Sequence, residues 1–348
     1  MYKKFFMGIA AMAALTLVSC SSDDLDSLSD NSSKNEAISF DGYLGRSAVA
    51  VNGSRGSVLE IADLKTSTEG FGVFGNYNST GGQKFGFNLF NNEKVTYDAS
   101  AKTPAWKYSP LKYWPTDGHV DFLAYAPRVD SKQLTGSSID FTVEGDAANQ
   151  KDLLWANAPG QTKENGKVTF KFAHALSRLG YTVKLNDDYT GTTIKLNKIT
   201  LAGSNDGTKQ AFYTTGTIDL SYTSSPTSST TKLWNPSEEK QNFDWYSGDD
   251  QLSKTTAVKN PTTKYLFVIP QKFSASAPDQ LYVIVNYTIT YSDGTSVNTK
   301  VYKQLDKEFE QGKAYTINLN IGLTPIEFDA DVTPWNPKDG ESIDASWN

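Results

Sequence analysis

Few residues in this chain of 348 suit covalent or metal chemistry, since it holds one cysteine (Cys20) and two histidines (His119 and His174). A single cysteine excludes an intrachain disulfide, a cysteine-based zinc site and a CxxC redox pair. Two histidines argue against a multi-histidine metal centre. Either histidine could serve a Ser-His-Asp triad, but we expect both to be buried, hydrogen-bonded structural residues. The sequence therefore predicts no catalytic residue, no metal ligand and no bound cofactor.

The sequence also lacks the motifs of common catalytic sites, which agrees with this expectation. The chain contains no GxSxG, GxxxxGK[ST] or HExxH pattern. Its Asp-Gly turns lack the ligand spacing of a calcium loop. With 39 acidic residues, carboxylate pairs arise in any fold, so a lipid-anchored glycosidase is only a third hypothesis. We predict that the protein is not an enzyme.

Four aromatic residues close together in sequence could instead bind a ligand. Trp106, Tyr108, Tyr113 and Trp114 have rings that could stack on sugars, which makes a surface lipoprotein that binds glycans the alternative function. The competing interpretation, which we favour, is that these rings pack in a core.

Composition and charge narrow the class of protein further. The chain has 18 Phe, 18 Tyr and 7 Trp, enough apolar mass to bury a large core and to exclude a disordered chain. The formal net charge is −6, which argues against a nucleic-acid partner, because such binding needs clustered cations.

The first residues are typical of an export signal. Lys3 and Lys4 precede an apolar run, residues 5–18, that is too short to span a bilayer and ends in Leu-Val-Ser-Cys. This ending resembles the lipobox of bacterial lipoproteins, which implies removal of residues 1–19 and attachment of acyl chains such as palmitate to Cys20. The alternative is an ordinary signal peptide with a chance cysteine.

Residues 20–37 are rich in Ser and Asp and have no apolar period, so we expect a disordered tether between the lipid and the body. Its acidic cluster, Asp23, Asp24 and Asp26, resembles the export tags of lipoproteins that reach the outside of Gram-negative cells.

The body is predicted to be all-β. Apolar and polar residues alternate with a period of two from residue 38 onward, and turns are marked by 26 Gly and 13 Pro. The length favours two Greek-key β-sandwich domains, 38–168 and 169–348, with the tail 325–348 as a possible donor segment. The polar stretches 221–235 and 236–256 are expected to be surface loops.

Arginine is rare in this chain. The sequence has Arg46, Arg55, Arg128 and Arg178, and every other cation is a lysine. Two of the four lie soon after the first alternating strand, among small residues that suit cleavage in an extended form.

Several segments together resemble the fimbrillin-like pilus proteins, the type V pilins of Gram-negative gut and oral anaerobes. They follow the family's order and are Ala37–Arg46, Gly70–Gly75, Lys112–Pro115, Val120–Pro127, Phe170–Arg178 and Gly312–Leu319. The resemblance implies two transthyretin-like sandwich domains and export as an outer-membrane lipoprotein to the cell surface. It also implies a cut after an arginine that removes the first strand and opens a groove for a neighbour's strand.

The residues fit that scheme in a specific way. Ile38, Phe40 and Leu44 would form the removable strand, and the segment with Ile326, Phe328 and Val332 alternates as a donor must. Equally, residues 326–332 could complete the second domain's own sheet.

The predicted cut falls between Arg46 and Ser47, with Arg55 as the alternative site. The partners implied are other pilin subunits in a homo- or hetero-polymer, the outer membrane through the lipid before processing, and a receptor on host or bacterial surfaces. The expected role is a structural subunit of a pilus that contributes to adhesion.

Overall fold

Alternating apolar and polar residues become β-strands in the computed structural model of the protein. It describes residues 36–44, 59–103, 105–223, 233–261, 264–276 and 278–323, and the backbone alone of residues 327–334. In chain order the elements are β1 Phe40–Leu44, α1 Ile61–Thr66, β2 Phe71–Asn78, β3 Phe90–Asp98, β4 Ala105–Lys107, β5 His119–Ala126, β6 Ser138–Thr142, β7 Leu154–Gln161, a 3-10 turn Lys163–Asn165, β8 Val168–His174, β9 Ser177–Leu185, β10 Thr192–Ala202, β11 Phe212–Tyr213, β12 Thr215–Asp219, β13 Trp234–Pro236, β14 Lys240–Gln241, β15 Phe243–Gln251, β16 Val258–Lys259, β17 Leu266–Val268, β18 Gln271–Lys272, β19 Leu281–Tyr291, β20 Ser296–Leu305, β21 Glu308–Phe309, β22 Lys313–Ile321 and β23 Glu327–Pro334. The prediction of an all-β chain is confirmed.

The first half of the chain forms one seven-stranded sheet, with the strand order β1-β8-β7-β5-β2-β3-β4. All neighbours along this order are antiparallel except β1 and β8, which run parallel. β1 therefore lies at an edge of the sheet, and a parallel partner this far along the chain requires a long crossover.

The central strands β2 and β5 are buried on both faces. Phe71 and Phe122 belong to the hydrophobic cluster that also contains β1, whereas Phe74 and Tyr125 belong to the cluster of the second half. A Cβ on Gly72 would lie 2.6 Å from the Tyr125 ring, so this glycine makes room for an aromatic residue on the next strand. The Gly-x-Gly-x-x-Gly spacing of residues 70–75 thus serves strand packing and forms no dinucleotide-binding loop.

The second half contains two larger sheets that share one hydrophobic cluster. One has the order β15-β10-β19-β20, and the other has the order β16-β9-β22-β23, with β17 also on β9. Tyr181 of β9 packs edge-on against Trp245 of β15, with ring centroids 4.9 Å apart. The turn between β19 and β20 uses Gly294 at a φ of 85°, as its Asp-Gly pair predicts.

Strand pairing also joins the two halves. β6 pairs antiparallel with β12, from Thr142 opposite Thr215 to Ser138 opposite Asp219. The Trp234 indole N–H donates to the Ala175 carbonyl at 2.7 Å. Everything described from Glu36 onward forms one compact unit, within which the division at residues 168 and 169 stays a prediction.

One expectation about loops is wrong. Residues 236–256 include the nine-residue strand β15, which pairs with β10 across Leu201 and Phe243. Only Phe243 and Trp245 are buried in this strand, and the rest is polar because it lies at an exposed edge. Of the stretch 221–235, residues 224–232 lie outside the described part of the chain.

α1 has six residues, and no helix in the part of the chain that the structure describes is long and apolar enough to cross a membrane. Leu64 of α1 is buried in the same hydrophobic cluster as the side chains of β1, so α1 covers part of that core.

Candidate functional site

The first strand and the residues just before it lie in a slot, where β1 pairs with β8 on one side and residues 36–38 bond to a second segment on the other. Phe40 to Leu44 pair with Val168 to Phe172 of β8, and the Val168 N–H donates to the Ser39 carbonyl at 2.8 Å. On the other side, the Ile38 N–H donates to the Lys112 carbonyl at 2.8 Å. We call the space between β8 and residues 108–114 the β1 slot.

The second wall of the slot is held by polar contacts. The Tyr108 hydroxyl donates to the Ile38 carbonyl at 2.8 Å, and burial raises the pKa of this phenol above its ordinary value. The Lys112 ammonium donates to the Leu89 carbonyl at 2.6 Å and lies 4.9 Å from the centroid of the Phe90 ring. These contacts fix residues 108–114 beside β1.

Apolar side chains of β1 and of Ile38, two residues before it, fill the slot. Ile38 and Phe40 are only 1% and 2% exposed, and complete burial of such side chains stabilises a fold by about 1.5–3 kcal/mol each. The Phe40 ring is surrounded by four aromatic rings at centroid distances of 5.3–5.7 Å. We call these four rings the Phe40 pocket, and they belong to Phe90, Tyr108, Phe122 and Phe170.

The next inward position of β1 leaves almost no room for a side chain. A Cβ on Gly42 would lie 3.2 Å from Cε2 of Phe172 and 4.0 Å from Cδ1 of Ile61. Asp41 and Tyr43 point outward and are exposed, and Leu44 is half-buried. The inward sequence of β1 is therefore aliphatic, aromatic, small and aliphatic.

Loss of β1 would uncover an extended site. β8 would expose one row of backbone groups, and the Phe40 pocket would open to solvent. A free strand edge beside an apolar slot binds another extended chain, because backbone bonds provide affinity and the pockets select side chains. The β1 slot without β1 is therefore suited to bind an extended segment of another chain.

A buried contact between a histidine and an aspartate anchors the chain just after the stretch 45–58. The Leu59 N–H donates to Asp152 Oδ2 at 3.0 Å, and the same oxygen lies 2.7 Å from His174 Nδ1. Both side chains are buried, and the anchor holds α1 over the core that contains β1.

His119 has a similar structural setting, although it is half-buried and not fully buried as expected. Its Nε2 lies 3.3 Å from Oδ2 of the buried Asp121, which also accepts the Lys84 N–H at 2.7 Å. The second oxygen of Asp121 accepts the Gly160 N–H at 2.7 Å. Among the described residues, no cluster of three or more His, Cys, Asp or Glu side chains could hold a metal ion.

The aromatic residues proposed for sugar stacking are mostly core. Trp106 and Trp114 are buried, with Trp106 packed 4.9 Å from Phe71 and Trp114 packed 6.3 Å from Phe122. Tyr108 belongs to the Phe40 pocket, and Tyr113 is the one exposed ring of the four. The structure favours the core interpretation of this cluster.

The structure describes two of the four arginines, and both are engaged. The Arg128 Nε donates to the Asn92 carbonyl at 2.9 Å, and its guanidinium pairs with Asp130. Arg178 lies within β9, its guanidinium 4.3 Å from the Tyr265 ring centroid, and burial lowers its pKa. The predicted processing residues Arg46, Ser47 and Arg55 and the lipidation residue Cys20 lie outside the described residues.

The predicted donor segment is partly described. The backbone of β23 pairs antiparallel with β22, with Phe328 opposite Leu319 and Val332 opposite Tyr315. In a single chain this segment therefore extends the chain's own sheet, while Ile326 lies outside the described residues.

A family model for fimbrillin-like proteins matches residues 61–335, which is most of the chain. The chain belongs to the fimbrillin-like family. Fimbrium subunit Fim1C of Phocaeicola vulgatus is 26% identical over 373 residues, which cover 92% of this chain and 93% of that protein. The resemblance noted in the sequence is thus confirmed.

Solved structures of similar proteins have low sequence identity to this fimbrillin-like chain. A protein proposed to act in cell adhesion in Bacteroides ovatus is 14% identical, with a TM-score of 0.48, over 87% of this chain and 98% of that one. The tip fimbrial protein Mfa3 of Porphyromonas gingivalis is 12% identical, with a TM-score of 0.39, over 79% of this chain and 96% of that one.

Proposed function

We propose that this fimbrillin-like chain is a structural, non-enzymatic subunit of a cell-surface pilus that contributes to adhesion. It assembles by strand exchange after a cut removes β1. The observation that carries the proposal is the β1 slot, in which a short edge strand pairs with β8 and has a buried inward face. Fim1C, a fimbrium subunit similar along nearly the whole chain, supports the pilus role.

The cut falls after Arg46, with Arg55 as the second candidate. Both lie between β1 and Leu59, the first described residue after the gap, so either cut separates β1 from the body. Arg128 and Arg178 are bound in the fold, which leaves the stretch 45–58 as the target of an arginine-specific protease. The anchor of Leu59 on Asp152 keeps the body intact after the cut.

Export precedes this step. Residues 1–19 act as a signal peptide, Cys20 carries the lipid that holds the precursor at the outer membrane, and residues 20–37 form the tether to the body. A cut after Arg46 also releases the body from that lipid. The Cys20→Ala chain should leave the membrane fraction, and unchanged membrane partitioning would contradict the lipid anchor.

The partners are other pilin subunits, which contribute the strand that fills the β1 slot, and a surface receptor for adhesion. Within the described residues, three of the four rings proposed for sugar stacking lie in or beside the core. We therefore favour the pilus role over glycan binding.

Arginine-specific digestion of the purified chain tests the proposal. We expect the wild type to lose residues up to Arg46 and then form ladders or filaments. The doubly substituted chain, Arg46→Lys with Arg55→Lys, should resist this protease and stay monomeric. The single variants, Arg46→Lys and Arg55→Lys, are the matched controls and show which of the two sites is cut. Normal fibres from the uncut double variant would contradict the proposal.

A further inference from the structure

The second half of the chain contains a cleft whose described lining residues all differ from those of the β1 slot. Its volume is about 430 Å³, within the range of about 300–1,000 Å³ that is usual for small-molecule sites. Residues of β11, β13, β18 and β21 contribute to its walls. Strand exchange makes no use of this cleft.

The buried part of the lining is apolar, and we call it the cleft floor. It consists of Leu233, Trp234 and Phe309, which are 5%, 6% and 2% exposed. The Trp234 indole N–H is already bonded to the Ala175 carbonyl, and the Phe309 ring packs with its centroid 5.0 Å from that of Tyr315. The cleft floor therefore offers a fixed apolar surface whose side chains have no spare hydrogen-bond donor.

Two half-buried tyrosines, Tyr213 and Tyr222, also line the cleft, and each ring is held by a neighbour. The Lys240 ammonium lies 4.8 Å from the Tyr213 ring centroid, and the Trp155 ring centroid lies 6.0 Å from that of Tyr222. Rings that are already held in place bind a ligand at a low cost in entropy. The C–H groups on one face of a sugar ring pack well on such flat apolar surfaces.

The charged part of the lining is mostly acidic. It consists of three carboxylates and one ammonium, from Asp279, Glu308, Glu310 and Lys272. Lysines outside the lining hold two of the carboxylates. Lys240 Nζ lies 2.7 Å from Asp279 Oδ1, and Lys313 Nζ lies 2.6 Å from Glu310 Oε1. The excess of carboxylates in the lining disfavours an anionic ligand, and the two ion pairs weaken the attraction for a cationic one. Carboxylate oxygens accept strong hydrogen bonds from neutral hydroxyl groups.

The wall of the cleft also contains an amide nitrogen without a partner. Gln271 lines the cleft on β18, and among the described residues none accepts a hydrogen bond from its buried Nε2. A buried donor that stays unpaired costs about 1–3 kcal/mol. Rotation of this side chain towards the cleft lets the amide donate to an oxygen of a ligand.

We propose that this cleft binds neutral sugars of a surface glycan, whose rings pack on Tyr213 and Tyr222 and whose hydroxyl groups bond to Glu308 and Gln271. The site is separate from the aromatic cluster at residues 106–114, most of which is core. The inference rests on the adhesive part of the proposed function and gives the receptor a chemical class. It does not depend on strand exchange, and it makes glycan binding an activity of the pilus subunit.

The test uses the uncut chain with Cys20→Ala, so that neither a lipid nor strand exchange contributes to the result. An array of neutral, sialylated and sulfated oligosaccharides gives the class of ligand, and calorimetric titration with the best neutral oligosaccharide gives its dissociation constant. We expect neutral glycans to bind in preference to the anionic ones. Tyr213→Ala and Tyr222→Ala should each weaken binding at least about tenfold, and Glu308→Gln at least about threefold.

Two further variants separate binding from folding. Tyr113→Ala is the matched control, because Tyr113 is an exposed ring outside the cleft lining, and it should change the dissociation constant less than about twofold. Gln271→Met keeps the length of the side chain and removes the amide. It should weaken binding about tenfold without lowering the thermal unfolding midpoint, because the amide nitrogen has no partner in the free chain. A lower midpoint with unchanged affinity would show that Gln271 is only structural and would remove it from the site.

The outcomes separate this inference from strand exchange. If no glycan binds at about 10 mM, the inference is overturned, whereas strand exchange stands because the uncut chain does not test it. A preference for sialylated or sulfated glycans would contradict the charge argument. Loss of binding with Tyr113→Ala, but with neither cleft tyrosine changed to alanine, would overturn the assignment of the site. If the chain binds neutral sugars but forms no fibres after arginine-specific digestion, strand exchange alone is contradicted.

Discussion

Phe40 is the residue on which the β1 slot depends most. Its ring touches residues from three separate parts of the sheet and the wall, including Phe90, Phe122 and Phe170. An enclosed aromatic side chain of this kind contributes more to the binding of an extended segment than its exposed neighbours do.

Phe40→Ala in the uncut chain should lower the free energy of unfolding by about 3–5 kcal/mol, because it leaves a cavity between four rings. Tyr43→Ala is the matched control on the same strand, and its exposed ring should make the change smaller than about 1 kcal/mol. Urea unfolding of both variants measures this. Equal effects of the two substitutions would show that β1 does not bury Phe40.

Residue types alone predicted part of this site. The expectation that the histidines are structural agrees with the contacts of His119 and His174, each beside a buried aspartate. Sequence could not identify Asp152 or Asp121 as those partners, because 39 acidic residues look alike before folding. It also could not show that Tyr108 and Trp106 face inward, since an aromatic cluster fits a core and a surface equally well.

Strands were predictable where one face alone is buried. The alternation of Ile38 and Phe40, of β8 and of β22 identified these strands, and their burial patterns follow it. β2 and β5 are buried on both faces and have no period of two, so alternation could not reveal them. The alternation of apolar and polar residues also could not reveal that β1 pairs with β8. It shows which face of a strand is buried but not which strand lies beside it.

Deletion of the chain from Pro325 onward tests the role of the last strand. Because β23 lies at the edge of its sheet, we expect the truncated chain to fold, with a modest loss of stability, and to remain monomeric after arginine-specific digestion. Circular dichroism and gel filtration measure both properties. Normal polymers would place the donor elsewhere, and failure to fold would mean that the segment is essential to its own sheet.

The molecule as a whole buries many tyrosines, which makes its stability sensitive to alkaline pH. Burial is the main cause of a raised pKa at six tyrosines, and that of Tyr315 is raised to about 12; the six are Tyr108, Tyr125, Tyr181, Tyr246, Tyr287 and Tyr315. In the unfolded chain these phenols ionise near pH 10. The unfolded state therefore releases protons first as the pH rises.

The contribution of these phenols to stability is complete below about pH 10 and is lost as the pH rises towards 12. We expect the urea midpoint to be level up to about pH 9.5 and to fall above it. Tyrosinate absorbance should show part of the phenols ionising only as the chain unfolds. Ionisation of all 18 tyrosines near pH 10 in a folded chain would contradict this burial.

Strand exchange requires that the assembled subunit has lost its first strand and that a neighbour's strand has taken its place. Mass spectrometry of the subunit purified from surface fibres, with sequencing of its N-terminus, tests this most directly. We predict a chain that begins at Ser47, or at Gly56 if Arg55 is the site, and that has no residues 38–44. A fibre-bound subunit that still carries Phe40 would contradict the account and would fit an uncleaved anchor or a surface binder.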